Sequence, residues 1–271
     1  MPTNVYNIAF AESANQAYLH FWGCNIECRG CVCKKVVTDF MLDRNMHLHL
    51  EDFRGLAAPP ERFLEVDEVV DIIGETGARW VLFEGQEASL DPQMPLIAEA
   101  LHRKFNTHNV LLTNGYRMPS LSHIDKVAVG LKAFDEDLHR DYTGHSNRTI
   151  LENFVKIYRS GVPMMAETVV IPGYIDVDEV DKIARFIAGV DRNVPYQLDA
   201  YLKAGDNPWR RPTVAEMDDA VAVAASHVNH PYSYRGDEIR EFGVKSIFPT
   251  EAELAASDRE SIEADRVPVL V

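Results

Sequence analysis

The stretch Phe21-Trp22-Gly23-Cys24-Asn25-Ile26-Glu27-Cys28-Arg29-Gly30-Cys31 places three thiols at C-x3-C-x2-C spacing, directly after a short apolar run, Ala17–Trp22. All four cysteines of the chain fall within ten residues, Cys33 being the last. A disulfide framework would spread its cysteines to close long loops, so this clustering reads as a metal-binding loop in a reducing compartment. Three thiolates in one tight loop can hold three irons of a [4Fe–4S] cube and leave the fourth iron without a protein ligand. Zinc sites tend instead to pair C-x2-C knuckles from two places in the chain. No second cysteine cluster completes one here, although histidines could, and His47 and His49 could ligate metal from one strand face.

Working outward, the design of Ala17–Trp22 recurs. Arg79–Phe83, Asn109–Thr113, Lys126–Leu131, Met164–Ile171 and Tyr196–Tyr201 are short apolar runs of the right length for strands buried on both faces. Helical patterns lie between them. Leu151, Phe154, Val155 and Tyr158 keep one face, with Thr149 as a cap and Gly161 as a stop. Val180, Ile183, Ala184 and Ile187 repeat that spacing after the acidic Asp178 and Glu179. Asp67–Glu75, Pro95–Phe105 and an Ala-rich Val214–His227 supply three more. Six strands with intervening helices imply parallel pairing through right-handed crossovers, an α/β sheet curled towards a barrel. Lys34–Val66, with its Pro59-Pro60 pair, reads as an excursion over the surface. With no repeat or long linker, one domain over residues 1–250 is expected, followed by an acidic arm at 251–271. Trp80 and Phe83 are expected in the core.

Composition narrows the function. The 271 residues carry 27 Lys plus Arg against 42 Asp plus Glu, a net charge of −15. Such a field repels phosphate backbones and argues against bulk nucleic-acid or anionic-membrane binding. No run of 18 apolar residues exists to span a membrane. The opening Met-Pro-Thr-Asn-Val-Tyr lacks the basic-then-apolar pattern of a signal peptide, so a cytoplasmic location is expected.

The cysteine loop resembles that of the radical S-adenosylmethionine (SAM) superfamily, and the likeness continues downstream. Phe83-Glu84-Gly85-Gln86-Glu87 is similar to the family's Gly-Gly-Glu segment, with Gln86 in place of the second glycine. Leu112-Thr113-Asn114-Gly115 is similar to its Thr-Asn-Gly turn. Gly130-Leu131-Lys132-Ala133-Phe134-Asp135, Tyr142-Thr143-Gly144-His145-Ser146-Asn147 and Val169-Val170-Ile171-Pro172-Gly173-Tyr174 look most like the glycyl-radical-enzyme activases, the branch containing the pyruvate formate-lyase activator. The resemblance implies a partial (β/α)6 TIM-like barrel of parallel strands in a single domain, with the cluster loop after strand one. It implies a [4Fe–4S] cluster and SAM as cofactors, SAM chelating the open iron before one-electron cleavage to methionine and a hydrogen-abstracting 5′-deoxyadenosyl radical. Each matched loop follows the carboxyl end of an expected strand, where barrel enzymes place their sites.

The same resemblance assigns roles. Cys24, Cys28 and Cys31 are the cluster ligands, and Cys33 is a small buried or loop thiol. Glu87 and the backbone around Gly85 and Gln86 receive SAM's ammonium, a carboxylate being a natural acceptor for it. Thr113 and Asn114 bond the ribose or order the neighbouring loop, and Lys132 pairs with SAM's carboxylate. Two glycines depart from the pattern: many activases carry an acid at the position of Gly130, and many family members carry an aromatic at that of Gly30 to pack on adenine. The strand end Val169–Pro172 is the candidate adenine surface instead. The 201–211 segment, at the same barrel mouth, is a candidate for substrate recognition. No catalytic side chain is assigned.

The leading expectation is a single-cluster radical SAM enzyme abstracting hydrogen from a small molecule or peptide, as in cofactor biosynthesis. The alternative is an activase installing a glycyl radical on a partner enzyme, and a remoter one is a non-catalytic metal-binding module. An electron donor such as flavodoxin or ferredoxin is the implied partner. Anaerobic reconstitution should yield one oxygen-sensitive [4Fe–4S] cluster per chain. Cys24→Ala, Cys28→Ala or Cys31→Ala should each abolish it in iron and sulfide analysis, and Cys33→Ala should keep it. Cluster loss in Cys33→Ala alone would show that the wrong thiols were chosen.

Overall fold

The computed structural model describes residues 2–45, 57–235 and 243–256. Nine strands form one sheet in the order β8-β7-β6-β5-β4-β3-β2-β1-β9. The strands expected from sequence are present as β2 (Gln16–Phe21), β3 (Trp80–Gly85), β4 (His108–Thr113), β5 (Lys126–Gly130), β6 (Met164–Val170) and β7 (Tyr196–Ala200). All neighbours in this series pair in parallel. Three strands extend it. β8 (Pro231–Tyr234) adds parallel to β7, while β1 (Val5–Ala11) and β9 (Val244–Phe248) add antiparallel at the other side. Among the described residues β8 and β9 are the two edges and do not pair, so the sheet does not close into a full barrel.

The helices are α1 (Val66–Thr76), α2 (Met94–Phe105), α3 (Glu136–Thr143), α4 (Arg148–Arg159), α5 (Val177–Val190) and α6 (Val214–Ala225). Val69 and Ile73 of α1, Ile97 and Leu101 of α2, Phe154 of α4 and Ile183 of α5 join one core cluster with Leu19, Phe83, Leu111 and Leu198 of the sheet. Because side chains alternate across a strand, helices α1, α2, α4, α5 and α6 cover one face. The opposite, inner face receives the intervening positions His20, Glu84, Gly130, Glu167 and Asp199. Charged and small groups are thus concentrated on the concave side, towards the carboxyl ends of the strands.

Several local expectations are corrected. The N-cap of α4 is Asn147, not Thr149. Phe83 is fully buried, but Trp80, at the start of β3, is 42% exposed and tilts against His108 with ring centroids 4.0 Å apart. The described part of the 34–66 segment is a surface excursion only around Pro59-Pro60, where residues 57–63 are exposed or half-buried. Asp39, Leu42 and Leu64 are all buried, and Leu64 exchanges backbone hydrogen bonds with Thr3 and Val5 at the start of the chain. His47 and His49 lie outside the described residues, as does the arm beyond residue 256, whose 251–256 start is helical.

The β4–β5 connection contains no helix, and one buried side chain stands in for it. Asn109 donates to the carbonyls of Ala98 and His123, at 3.0 and 2.9 Å, and accepts from the Thr107 hydroxyl. Its own backbone N–H donates to Asp125 at 2.7 Å. Asn109→Ala leaves two carbonyls and a hydroxyl without these partners in a dry site. It should cost about 1–3 kcal/mol in denaturant unfolding; an unchanged midpoint would show that Asn109 does not hold the crossover.

Candidate functional site

Chain geometry brings the sequence-designated residues to one end of the sheet. β2 runs into the cysteine loop, and the turn after β3 clasps its beginning. The backbone N–H of Gln86 donates to Phe21 O at 3.0 Å, and that of Glu87 donates to Gly23 O at 3.1 Å. The Gln86 side-chain oxygen accepts from the Gly23 N–H at 3.1 Å. Gln86 therefore has a local task that a glycine could not perform: it holds the entrance of the loop at Gly23, whose φ is +100°. Gly85, at φ +95°, lies so close to β2 that a Cβ would sit 2.8 Å from the Phe21 nitrogen. Only glycine allows this approach.

Glu87 is 1% exposed. Its carboxylate accepts from Thr113 Oγ1 at 2.8 Å, from the Asn114 N–H at 2.7 Å and from the Ser89 N–H at 3.2 Å. Burial pushes its pKa up, and these donors pull against that. A carboxylate offers about four lone-pair positions, so three of them are committed to fastening the β3 turn to the β4 turn. Asn114 then reaches the cysteine loop, donating to Asn25 Oδ1 at 2.8 Å and approaching Cys24 Sγ at 3.6 Å. Glu87, Thr113, Asn114 and Cys24 form one continuous chain of contacts.

The other side of the loop is held by α3 and by the end of β7. The backbone N–H groups of Glu27 and Arg29 donate to the carbonyls of Thr143 and Tyr142. Gly30 faces three aromatics: a Cβ there would lie 2.8 Å from a Tyr201 ring carbon, 3.3 Å from Trp209 and 3.3 Å from the Tyr142 hydroxyl. Tyr142, Tyr201, Trp209 and Ile171 form an apolar cluster that Cys28 and Val169 join. The aromatic surface absent at position 30 is thus supplied from other strands' ends, and glycine is what lets it approach. The 201–209 segment wraps the Tyr201 hydroxyl, which donates to Ala204 O and accepts from the Ala204 N–H.

Burial and neighbouring cations pull the thiols of the loop in opposite directions. Cys24, Cys28 and Cys31 influence one another's ionisation, and the cations of Lys34 and Lys132 act on them as well. Burial raises the Cys24 thiol and pushes Cys28 up to about 12, whereas a hydrogen bond from Cys33 brings Cys31 down. Cys33 thus acts on Cys31 as a donor. Burial works against the charge on Lys132, but Glu167 and the thiols outweigh it and its pKa is raised. Its ammonium lies 3.9 Å from Glu167 Oε1. A Cβ at Gly130 would meet Lys132 Nζ at 2.8 Å, so the missing acid at 130 makes room for the lysine, and Glu167 on the neighbouring strand supplies the carboxylate. Three soft donors in one loop, flanked by cations, fit a [4Fe–4S] cluster.

Sequence reading did not find Tyr142 and Trp209 as neighbours of the loop, nor Glu167 as the partner of Lys132. Gly30 and Gly130 were the available signals, each a missing side chain whose space another residue fills. Thr113→Val tests the Glu87 fastening. A carboxyl whose folded pKa is raised binds its proton more tightly when folded, so its charge costs stability as pH rises through that value. Removing the Thr113 donor raises it further. The mutation should therefore cost about 1.5–3 kcal/mol where Glu87 is ionised, and less as pH falls and the carboxyl takes up its proton. Urea unfolding across that range that gives a constant penalty would refute the charged acceptor.

The model of the radical SAM superfamily matches residues 18–187. A Methanocaldococcus jannaschii protein assigned by name to the glycyl-radical enzyme activating enzymes is 28% identical over 212 residues, covering 74% of this chain and 72% of its own. The isethionate sulfite-lyase activating enzyme of Oleidesulfovibrio alaskensis is 31% identical over 184 residues, 60% of this chain and 59% of its own length. Among solved structures, SuiB of Streptococcus suis bound to S-adenosylmethionine superposes with a TM-score of 0.55 at 10% identity, over 78% of this chain and 48% of that one. Among the described residues no helix is long and apolar enough to cross a membrane. The partial parallel barrel, the three-cysteine loop at its carboxyl end and the family match agree: the chain belongs to the radical SAM superfamily, whose enzymes use a [4Fe–4S] cluster and S-adenosylmethionine.

Proposed function

We propose that this radical SAM enzyme is an activase that takes hydrogen from a backbone glycine of a partner protein. The observation that carries the reading is that, among the described residues, the edges β8 and β9 do not pair, which would give a partner's loop a way to the inner face. The names of its relatives support it. When bound, the cluster and SAM supply one-electron reductive cleavage and hydrogen abstraction; the chain binds, orients and excludes water. Cys24, Cys28 and Cys31 hold the cluster. Lys132 would meet SAM's carboxylate, the 85–87 turn its ammonium, and the cluster around Val169, Ile171 and Tyr201 its adenine. Because three of Glu87's four acceptor positions are taken, its larger contribution is to position that turn and Asn114.

A second reading, hydrogen abstraction from a small molecule or peptide, is favoured by a different observation. The inner face carries a polar relay in which Tyr232 donates to Gln197 at 2.8 Å and Gln197 donates to Asp199 at 2.8 Å, beside Glu167 and Lys132. Such convergent polar groups suit a small polar substrate.

The readings separate in one experiment. Cluster-loaded, reduced enzyme is incubated with SAM and an anaerobic extract of its own source. The activase reading expects a persistent glycyl-radical doublet by electron paramagnetic resonance on a large protein. Substrate-dependent 5′-deoxyadenosine traced to a low-mass fraction, with no protein radical, would replace it with the second reading.

A further inference from the structure

Outside the cysteine loop, the described residues hold another convergence of ligand atoms. His20 on β2 and Glu84 on β3 are register partners in the parallel pair. Asp39 reaches them from the segment that follows the cysteines. His20 Nε2 lies 3.1 Å from Asp39 Oδ2 and 3.5 Å from Glu84 Oε1, and the three donor atoms lie within 4.8 Å of one another. His20 is 2% exposed and Asp39 is fully buried. The two stand as a buried ion pair, yet among the described residues neither His20 Nε2 nor Asp39 Oδ2 has a hydrogen-bond partner of good alignment. The two atoms face a shared point without the alignment a hydrogen bond needs. A buried imidazole nitrogen and a buried carboxylate oxygen left in that state are costly.

We infer that these residues form a binding site for a divalent first-row metal ion, separate from the cysteine cluster and structural in role. A tetrahedral ion with bonds of about 2.0–2.1 Å separates its ligands by about 3.3–3.4 Å, close to the observed 3.1 and 3.5 Å. One neutral imidazole and two carboxylates balance a divalent charge, which removes the cost of burying two acids together. The donor set, one nitrogen and two oxygens, suits zinc. The site is also braced: Asp39 Oδ1 accepts from the Met41 N–H at 2.7 Å, and its own N–H donates to Asn7 Oδ1 at 2.8 Å. Asn7 is in turn tied to Phe248 O on β9. The ion would therefore pin the segment after the cysteines to β2 and β3, immediately beneath the strand ends that carry the cluster loop.

The test uses protein whose cysteines are already occupied by iron and sulfide, dialysed against micromolar zinc and then against buffer. Wild type should retain about one zinc per chain beyond its iron. X-ray absorption at the zinc edge should show only nitrogen and oxygen neighbours at about 2.0–2.1 Å. Asp39→Asn and Glu84→Gln should each lower retained zinc at least tenfold with iron content unchanged. No retained zinc, or a sulfur shell at about 2.3 Å, would overturn the inference, as would full retention by the double variant. The absorption spectrum of wild type decides the matter even where a variant fails to fold.

Discussion

A single buried carboxylate organises the catalytic end of this barrel. Glu87 accepts from the turn after β4 through Thr113 and Asn114, and from its own turn through Ser89. Without those donors a charge this deep would be too costly to keep; with them, the carboxylate becomes a rigid rivet between two strand ends. The cysteine loop inherits its position from that rivet, through Asn114 to Asn25 and Cys24, and through Glu87's own N–H to Gly23. The placement of the cysteine loop thus comes from groups other than its own thiols.

Much of this was legible beforehand, for identifiable reasons. Strands β2, β4 and β5 are buried almost throughout and read as apolar runs, β3, β6 and β7 keep an apolar outer face, and helices α1, α2, α4 and α5 keep an apolar stripe. The missed elements lack those signals. β8 is a four-residue edge strand beginning with Pro231, which an edge position tolerates. α3 is short and dominated by charged residues, and it buries His139, Tyr142 and Thr143 rather than aliphatics. β1 is a hairpin partner of β2 across residues 12–15, and β9 meets β1 from the far end of the chain, so no local spacing announces β9.

At the site, residue types were legible and their couplings were not. The cysteine spacing and the Thr-Asn-Gly turn mark their places, but a sequence cannot show that Gln86 spends its side chain on Gly23. Departures from the family pattern proved informative as spaces. Gly130 admits the Lys132 ammonium and Gly30 admits Tyr201, Trp209 and Tyr142. In both cases the space left by the glycine is filled by side chains brought from elsewhere in the fold. The overall −15 charge conceals the same principle, since Lys34 and Lys132 act together on the thiols.

The central claim is that three cysteines hold the cluster and leave one iron for SAM. Mössbauer spectroscopy of protein reconstituted with 57Fe measures this directly. The account predicts that adding SAM shifts one iron site in four to a higher isomer shift, that of added nitrogen and oxygen ligands, and leaves three unchanged. Four irons indifferent to SAM, in a protein that still binds it, would contradict the account.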